Sequence, residues 1–195
     1  MLSVCQPSLR LIRQPLKISL IILMLTGPSA AAISVIGNSW ARLCYENAEH
    51  AAGSRNDVSV CNSALNEEAL DTRDRAATLV NRGILHMLSQ DKTSALADYD
   101  AAIALKPNMG DAYLNRGILL LRIERDADAV EALTKGLSLG SSKPEAGYYS
   151  RAVAYEMLGN IKSAYLDYRK ASELAPKWSL PQEQLSRFQV KTAHP

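Results

Sequence analysis

Three stretches of the chain repeat one pattern of apolar, small and polar positions around an arginine. They read LVNRGILH from Leu79 to His86, YLNRGILL from Tyr113 to Leu120, and YYSRAVAY from Tyr148 to Tyr155. Each is followed at a fixed distance by a second block: Ala95 to Pro107, Ala129 to Ser141, and Ala164 to Pro176. The first two copies are 34 residues apart and the third follows 35 later. Apolar residues at helical spacing predict a helix for every block. Self-similarity at this period predicts stacked helix pairs, because one pair cannot bury its own apolar face. Residues 39–51 and 57–70 carry a less regular version and predict one more amphipathic pair, with Ser54, Arg55 and Asn56 in the turn between them.

Polar residues mark the predicted helix starts. Asp91, Asp126 and Asn160 stand before second helices, where their side chains can cap free N–H groups. Ser142-Lys143-Pro144-Glu145 and Ser179-Leu180-Pro181-Gln182 have capping-box spacing. The second of these opens a last helix to about Val190. In it Leu185 and Phe188 would pack on the preceding pair while Gln184, Arg187 and Lys191 face water.

The repeat blocks resemble the tetratricopeptide repeat family. The small residue of the first helix is Gly83, Gly117 and Ala152, and the next small residue is Ala95, Ala129 and Ala164. The large slot is Tyr99, Leu133 and Tyr168, the second-helix small slot is Ala102, Gly136 and Ala171, and Pro107 and Pro176 close two copies. Ser141 stands where the middle copy would have its Pro. The resemblance implies an all-α, right-handed superhelical array of antiparallel helix pairs with a C-terminal capping helix. Gly83 would face the turn near Ala95. The repeats span 72–107, 108–142 and 143–176, a degenerate first pair lies within 33–71, and the cap and tail occupy 177–195. It also implies that the first helices line a concave face, with Asn81, Asn115 and Ser150 in one row. Ile84, Ile118 and Val153 form a second row, with Val80, Leu114 and Tyr149 beside them. The partner-binding set expected from this placement is Asn81, Ile84, Leu114, Asn115, Ile118, Tyr149 and Val153. The Asn amides would bond a peptide backbone and the apolar row would take its side chains. The alternative is that the apolar members are inter-repeat core. The carboxylate clamp found in some members is incomplete here, since Val80, Ile84 and Asp111 stand where its basic or polar residues would be.

Charge adds a targeting segment. Residues 1–32 hold Arg10, Arg13 and Lys17 and no acid, so of 22 Lys and Arg in the chain 19 remain against 20 Asp and Glu. That balance gives no electrostatic footprint for nucleic acid. A basic stretch to Lys17, the apolar run Ile18 to Leu25, a break at Thr26-Gly27-Pro28 and then Ala30-Ala31-Ala32 have the layout of a cleaved secretory signal. The run is too short to span a membrane, which needs roughly 20 apolar residues. The expectation is cleavage after Ala32, a periplasmic or secreted protein of bacterial type, and no membrane anchor thereafter.

Cys5 lies in that segment, leaving Cys44 and Cys61 as a pair, for which an oxidising compartment predicts a disulfide. Superposing Ala64 on Ala102 puts Cys61 in the Tyr99 slot and Tyr45 in the Gly83 slot, where first and second helices meet. A metal site adding His50 is the weaker alternative, lacking a fourth ligand. No Walker A, G-x-S-x-G, H-E-x-x-H or G-x-G-x-x-G string occurs, and the three His are scattered at 50, 86 and 194. His86 occupies the Tyr155 slot as a packing residue. The arginine row, Arg82, Arg116 and Arg151, reads either as ion pairs across the helix pair, such as Arg82 with Asp98, or as a groove for acidic ligands. The resulting expectation is a non-enzymatic module without cofactor or metal that binds a protein or peptide, as an assembly scaffold or as an accessory subunit of an envelope enzyme or secretion complex. N-terminal sequencing of the protein recovered from outside the cytoplasm should read from Ile33; a sequence beginning at Met1 would contradict the cleavage.

Overall fold

The computed structural model describes residues 31–34, 39–50 and 55–188. The predicted signal run, Ser54, Val190, Lys191 and His194 lie outside them. The described elements are helices: α1 (Trp40–Glu49), α2 (Arg55–Glu67), α3 (Thr72–Leu88), α4 (Lys92–Leu105), α5 (Gly110–Arg122), α6 (Asp126–Ser138), α7 (Pro144–Met157), α8 (Ile161–Leu174) and α9 (Ser179–Leu185). They pack as consecutive pairs, α1 with α2, α3 with α4, α5 with α6 and α7 with α8, and α9 lies on α8. This is an all-α solenoid of helix pairs. Arg55 and Asn56 begin α2 rather than forming a turn.

Each pair closes where a small residue meets a large one. A Cβ on Gly83 would stand 2.5 Å from Cε1 of Tyr99, and one on Gly117 would stand 2.6 Å from Cγ of Leu133. The Tyr99 ring, one helical turn on from Ala95, therefore lies nearest to Gly83. Tyr99, Leu133 and Tyr168 are fully buried. Within the α5–α6 pair the backbones themselves meet, with a Cβ on Gly136 only 2.9 Å from the carbonyl oxygen of Gly110. In the first pair Cys44 and Cys61 are joined by a disulfide across 17 residues, which stabilises by about 3 kcal/mol in the chain-entropy picture. His50 instead bonds through Nδ1 to the Glu46 carbonyl at 2.7 Å.

The caps follow the expected scheme in part. Asp91 accepts from the Ser94 N–H at 3.0 Å and Asn160 from that of Ser163 at 3.3 Å. Asp126 does not cap, because α6 already includes it and Arg125 holds the cap position without a side-chain bond. Neither capping box forms. Ser142 gives its N–H and hydroxyl to Oδ1 of Asp111, at 2.7 and 3.1 Å, and Ser179 is inside α9. The middle repeat replaces its missing Pro with Gly140 at φ 77°, where the Ser141 N–H reaches the Gly136 carbonyl in a left-handed C-cap. Leu185 and Phe188 do pack on the last pair, and the Phe188 ring lies 5.8 Å from Tyr165 and 5.9 Å from Tyr168. Gln184 is buried, however, and Arg187 turns inward to the buried Glu156 carboxylate, which also accepts from the Tyr168 hydroxyl at 3.1 Å. The cap is thus locked by charge as well as by apolar contact.

The arginine row ties helices together. Arg82 on α3 grips Asp98 of α4 with Nε and Nη2, at 2.9 and 2.6 Å, and reaches Asn62 of α2 with Nη1. Arg151 repeats this with Asp167, at 2.7 and 3.0 Å, and with Thr134 of the preceding pair, while lying over the Tyr148 and Tyr155 rings. In the middle repeat Ala132 occupies the slot of Asp98 and Asp167, so Arg116 bonds only backwards, to Asp100 at 2.6 Å. The Asp98 side chain is 7% exposed and that of Asp100 51%. Removing Arg82 strips a buried carboxylate of both guanidinium bonds, so Arg82→Ala should cost about 3 kcal/mol in urea unfolding. Adding Asp98→Ala should recover much of that loss, while Arg116→Ala should cost below about 1 kcal/mol. Equal losses for the two arginine variants would refute the assignment.

Candidate functional site

The face formed by the first helices of the pairs holds a segment of the chain itself. Ala31–Ser34 runs across α3 and α5. The Ala31 N–H donates to Oδ1 of Asn115 at 3.2 Å, and Nδ2 of Asn115 donates to the Ala31 carbonyl at 3.2 Å. The same bracket recurs one repeat earlier, where the Ile33 N–H donates to Oδ1 of Asn81 and Nδ2 of Asn81 donates to the Ile33 carbonyl, both at 2.8 Å. A carboxamide offers an acceptor and donors together, so it matches the N–H and C=O that one extended residue presents on one side. Residues two apart face the same way, which is why 31 and 33 are held while Ala32 is not bracketed. Nη2 of Arg73 adds a bond to the Ser34 carbonyl at 3.3 Å.

Helix spacing sets this geometry. Asn81 and Asn115 occupy one slot of successive first helices, each just before the row arginine, and both are fully buried beneath the segment and their neighbours. Ser150 holds the slot in the third pair, where its short hydroxyl cannot form a two-bond bracket. The apolar residues expected at this face are buried. Leu114 packs against Gly136 and Gly147 of neighbouring helices. Tyr149 lies edge-on to Tyr168 at 5.5 Å and beside Trp178 at 4.9 Å, and burial pushes its phenol up to about 12. Ile84, Ile118 and Val153 also belong to the continuous core. The expected set thus divides: Asn81 and Asn115 engage main chain, and Leu114 and Tyr149 fasten helices together. Asp111 spends its carboxylate on Ser142, and burial holds its acid form up against those bonds.

Two other features carry less. A cleft of about 660 Å³ beside Arg116 has cations and anions in equal number, including Arg125, Lys135, Asp128 and Glu131, and so presents no net sign to a ligand. His86 approaches Asp91 at 3.6 Å and Asp98 at 3.9 Å as part of the helix contact. Among the described residues no helix is long and apolar enough to cross a membrane, and no group of His, Cys, Asp and Glu has metal-binding placement.

Residues 146–177 match the family model for the tetratricopeptide repeat. The fold is a tetratricopeptide-repeat solenoid. The chain is similar to MamA over 77% of its own length and 82% of that chain, with 16% identity and a TM-score of 0.61. It is also similar to the first such domain of Spaghetti (RPAP3), solved bound to an HSP90 peptide, over 59% of this chain and 90% of that one, at 20% identity and a TM-score of 0.56. In sequence it is 30% identical over 116 residues to mouse Protein unc-45 homolog B, covering 58% of this chain and 12% of that protein. It is 32% identical over 82 residues to human Protein O-mannosyl-transferase TMTC3, covering 42% and 9%. The chain therefore spans only about a tenth of the curated relatives it matches.

The bracketed segment escaped sequence reading. Ala31 and Ile33 belong to no repeat and carry no helical period, and they sit beside the expected cleavage point. The signal that would have found them is the Asn81–Asn115 pair itself, two carboxamides in one slot of successive first helices.

Proposed function

We propose that this protein is an interaction module that holds an extended stretch of a partner protein along its first-helix face, and that it works outside the cytoplasm after losing residues 1–32. The observation that carries the reading is the pair of two-bond brackets made by Asn81 and Asn115 on main-chain groups. Such brackets recognise backbone, and side-chain space around them supplies selectivity. The Spaghetti domain's HSP90 peptide offers a precedent for a peptide ligand on this fold. The Cys44–Cys61 bridge suits an oxidising compartment, as the signal-like N-terminus does. Such a binding face serves an assembly scaffold and equally an accessory subunit of an envelope enzyme or secretion complex.

A photo-cross-linking residue replacing Arg73, at the mouth of the groove, should trap a protein partner in the native host. The adduct should fade when Asn81→Ala and Asn115→Ala are added to a chain that still melts cooperatively. A partner trapped equally well from position 135, or one indifferent to both Asn substitutions, would overturn the proposal.

A further inference from the structure

The occupant of the groove is part of the same polypeptide, and this defines both a competitor and a ligand chemistry. Ala31 is 1% exposed, so a larger side chain there would have to displace the atoms that cover it, while Ile33 is only partly buried. The segment meets Asn115 first and Asn81 second, so its direction opposes the order of the repeats. We infer that Ala31–Ser34 is a resident ligand of the groove. In the uncleaved chain a partner must displace it with its own extended segment, of the same direction and with Gly, Ala or Ser at the Asn115 bracket. This rests on the binding face proposed above.

The competition follows from tethering. An attached segment competes as an intramolecular ligand, at an effective concentration of roughly millimolar order. A free peptide with the same contacts is therefore held off until the resident segment is weakened or removed. The Ala32–Ile33 bond, where the sequence predicts cleavage, lies between the two brackets. Cleavage there takes Ala31 from Asn115 and leaves Ile33 at Asn81, opening the half of the groove that admits only a small side chain.

The test uses a fluorescein-labelled, end-blocked synthetic peptide with the sequence of residues 29–35, followed by anisotropy on the full chain. Ala31→Trp cannot seat in the groove, and Ile33→Pro deletes the N–H given to Asn81, so each should expel the resident segment. Both variants should bind the peptide at least tenfold more tightly than the unaltered chain. Asn115→Ala added to Ala31→Trp should weaken binding at least tenfold, and a peptide carrying Trp at the position of Ala31 should bind at least tenfold more weakly. Equal affinity for the unaltered chain and both variants would overturn the competition and leave the binding face standing. Undiminished binding by the Trp peptide would overturn the size selection. Binding indifferent to Asn115→Ala, or absent from every chain, would overturn the face together with its resident ligand.

Discussion

The close approach of two helices within each pair sets the positions of everything else. Where Gly83 faces Tyr99 and Gly117 faces Leu133, no side-chain atom separates the first helix from the large residue that fills the gap. In the third pair Ala152 and Tyr168 hold the corresponding slots, both fully buried. Because the contact recurs at one spacing, the residue two before each small one recurs in place as well. That residue is Asn81 in one pair and Asn115 in the next. Two carboxamides carried on rigid neighbouring helices reach alternate residues of one extended segment, which loops of independent conformation would not do reliably.

The arginine between each Asn and the small residue serves a different surface. Arg82 and Arg151 join their own second helix to that of the preceding pair, so they stiffen the stack rather than face the groove. The middle copy lacks the carboxylate on its second helix and bridges backwards alone. Three consecutive residues thus divide the labour: the Asn brackets main chain, the Arg links helices, and the small residue sets their distance.

The repeats were legible because periodic burial leaves periodic sequence. The small and large slots, the disulfide partners and the Arg82–Asp98 pair could all be placed by superposing copies. What could not be read were features that occur once. The inward turn of Arg187 depends on a buried Glu156 that only the last pair presents, and a charged side chain on a terminal helix otherwise reads as solvated. Asp126 looked like a cap because its carboxylate stands one residue past the slot of Asp91 and Asn160, which Arg125 holds in the middle copy. The groove's occupant was hidden for the same reason, since Ala31–Ser34 has no counterpart elsewhere in the chain. The Asn row itself was legible from the family resemblance, whereas the burial of Leu114 and Tyr149 in helix packing depended on neighbours that a single row does not reveal.

The central claim is that a carboxamide ladder on the first helices grips extended main chain, and amide exchange reads this bond by bond. In the full chain the Ala31 and Ile33 N–H groups should exchange at least tenfold more slowly than those of an unstructured peptide of the same sequence. That protection should vanish selectively, Ala31 with Asn115→Ala and Ile33 with Asn81→Ala. Exchange at the unstructured rate for both amides in the unaltered chain would contradict the account.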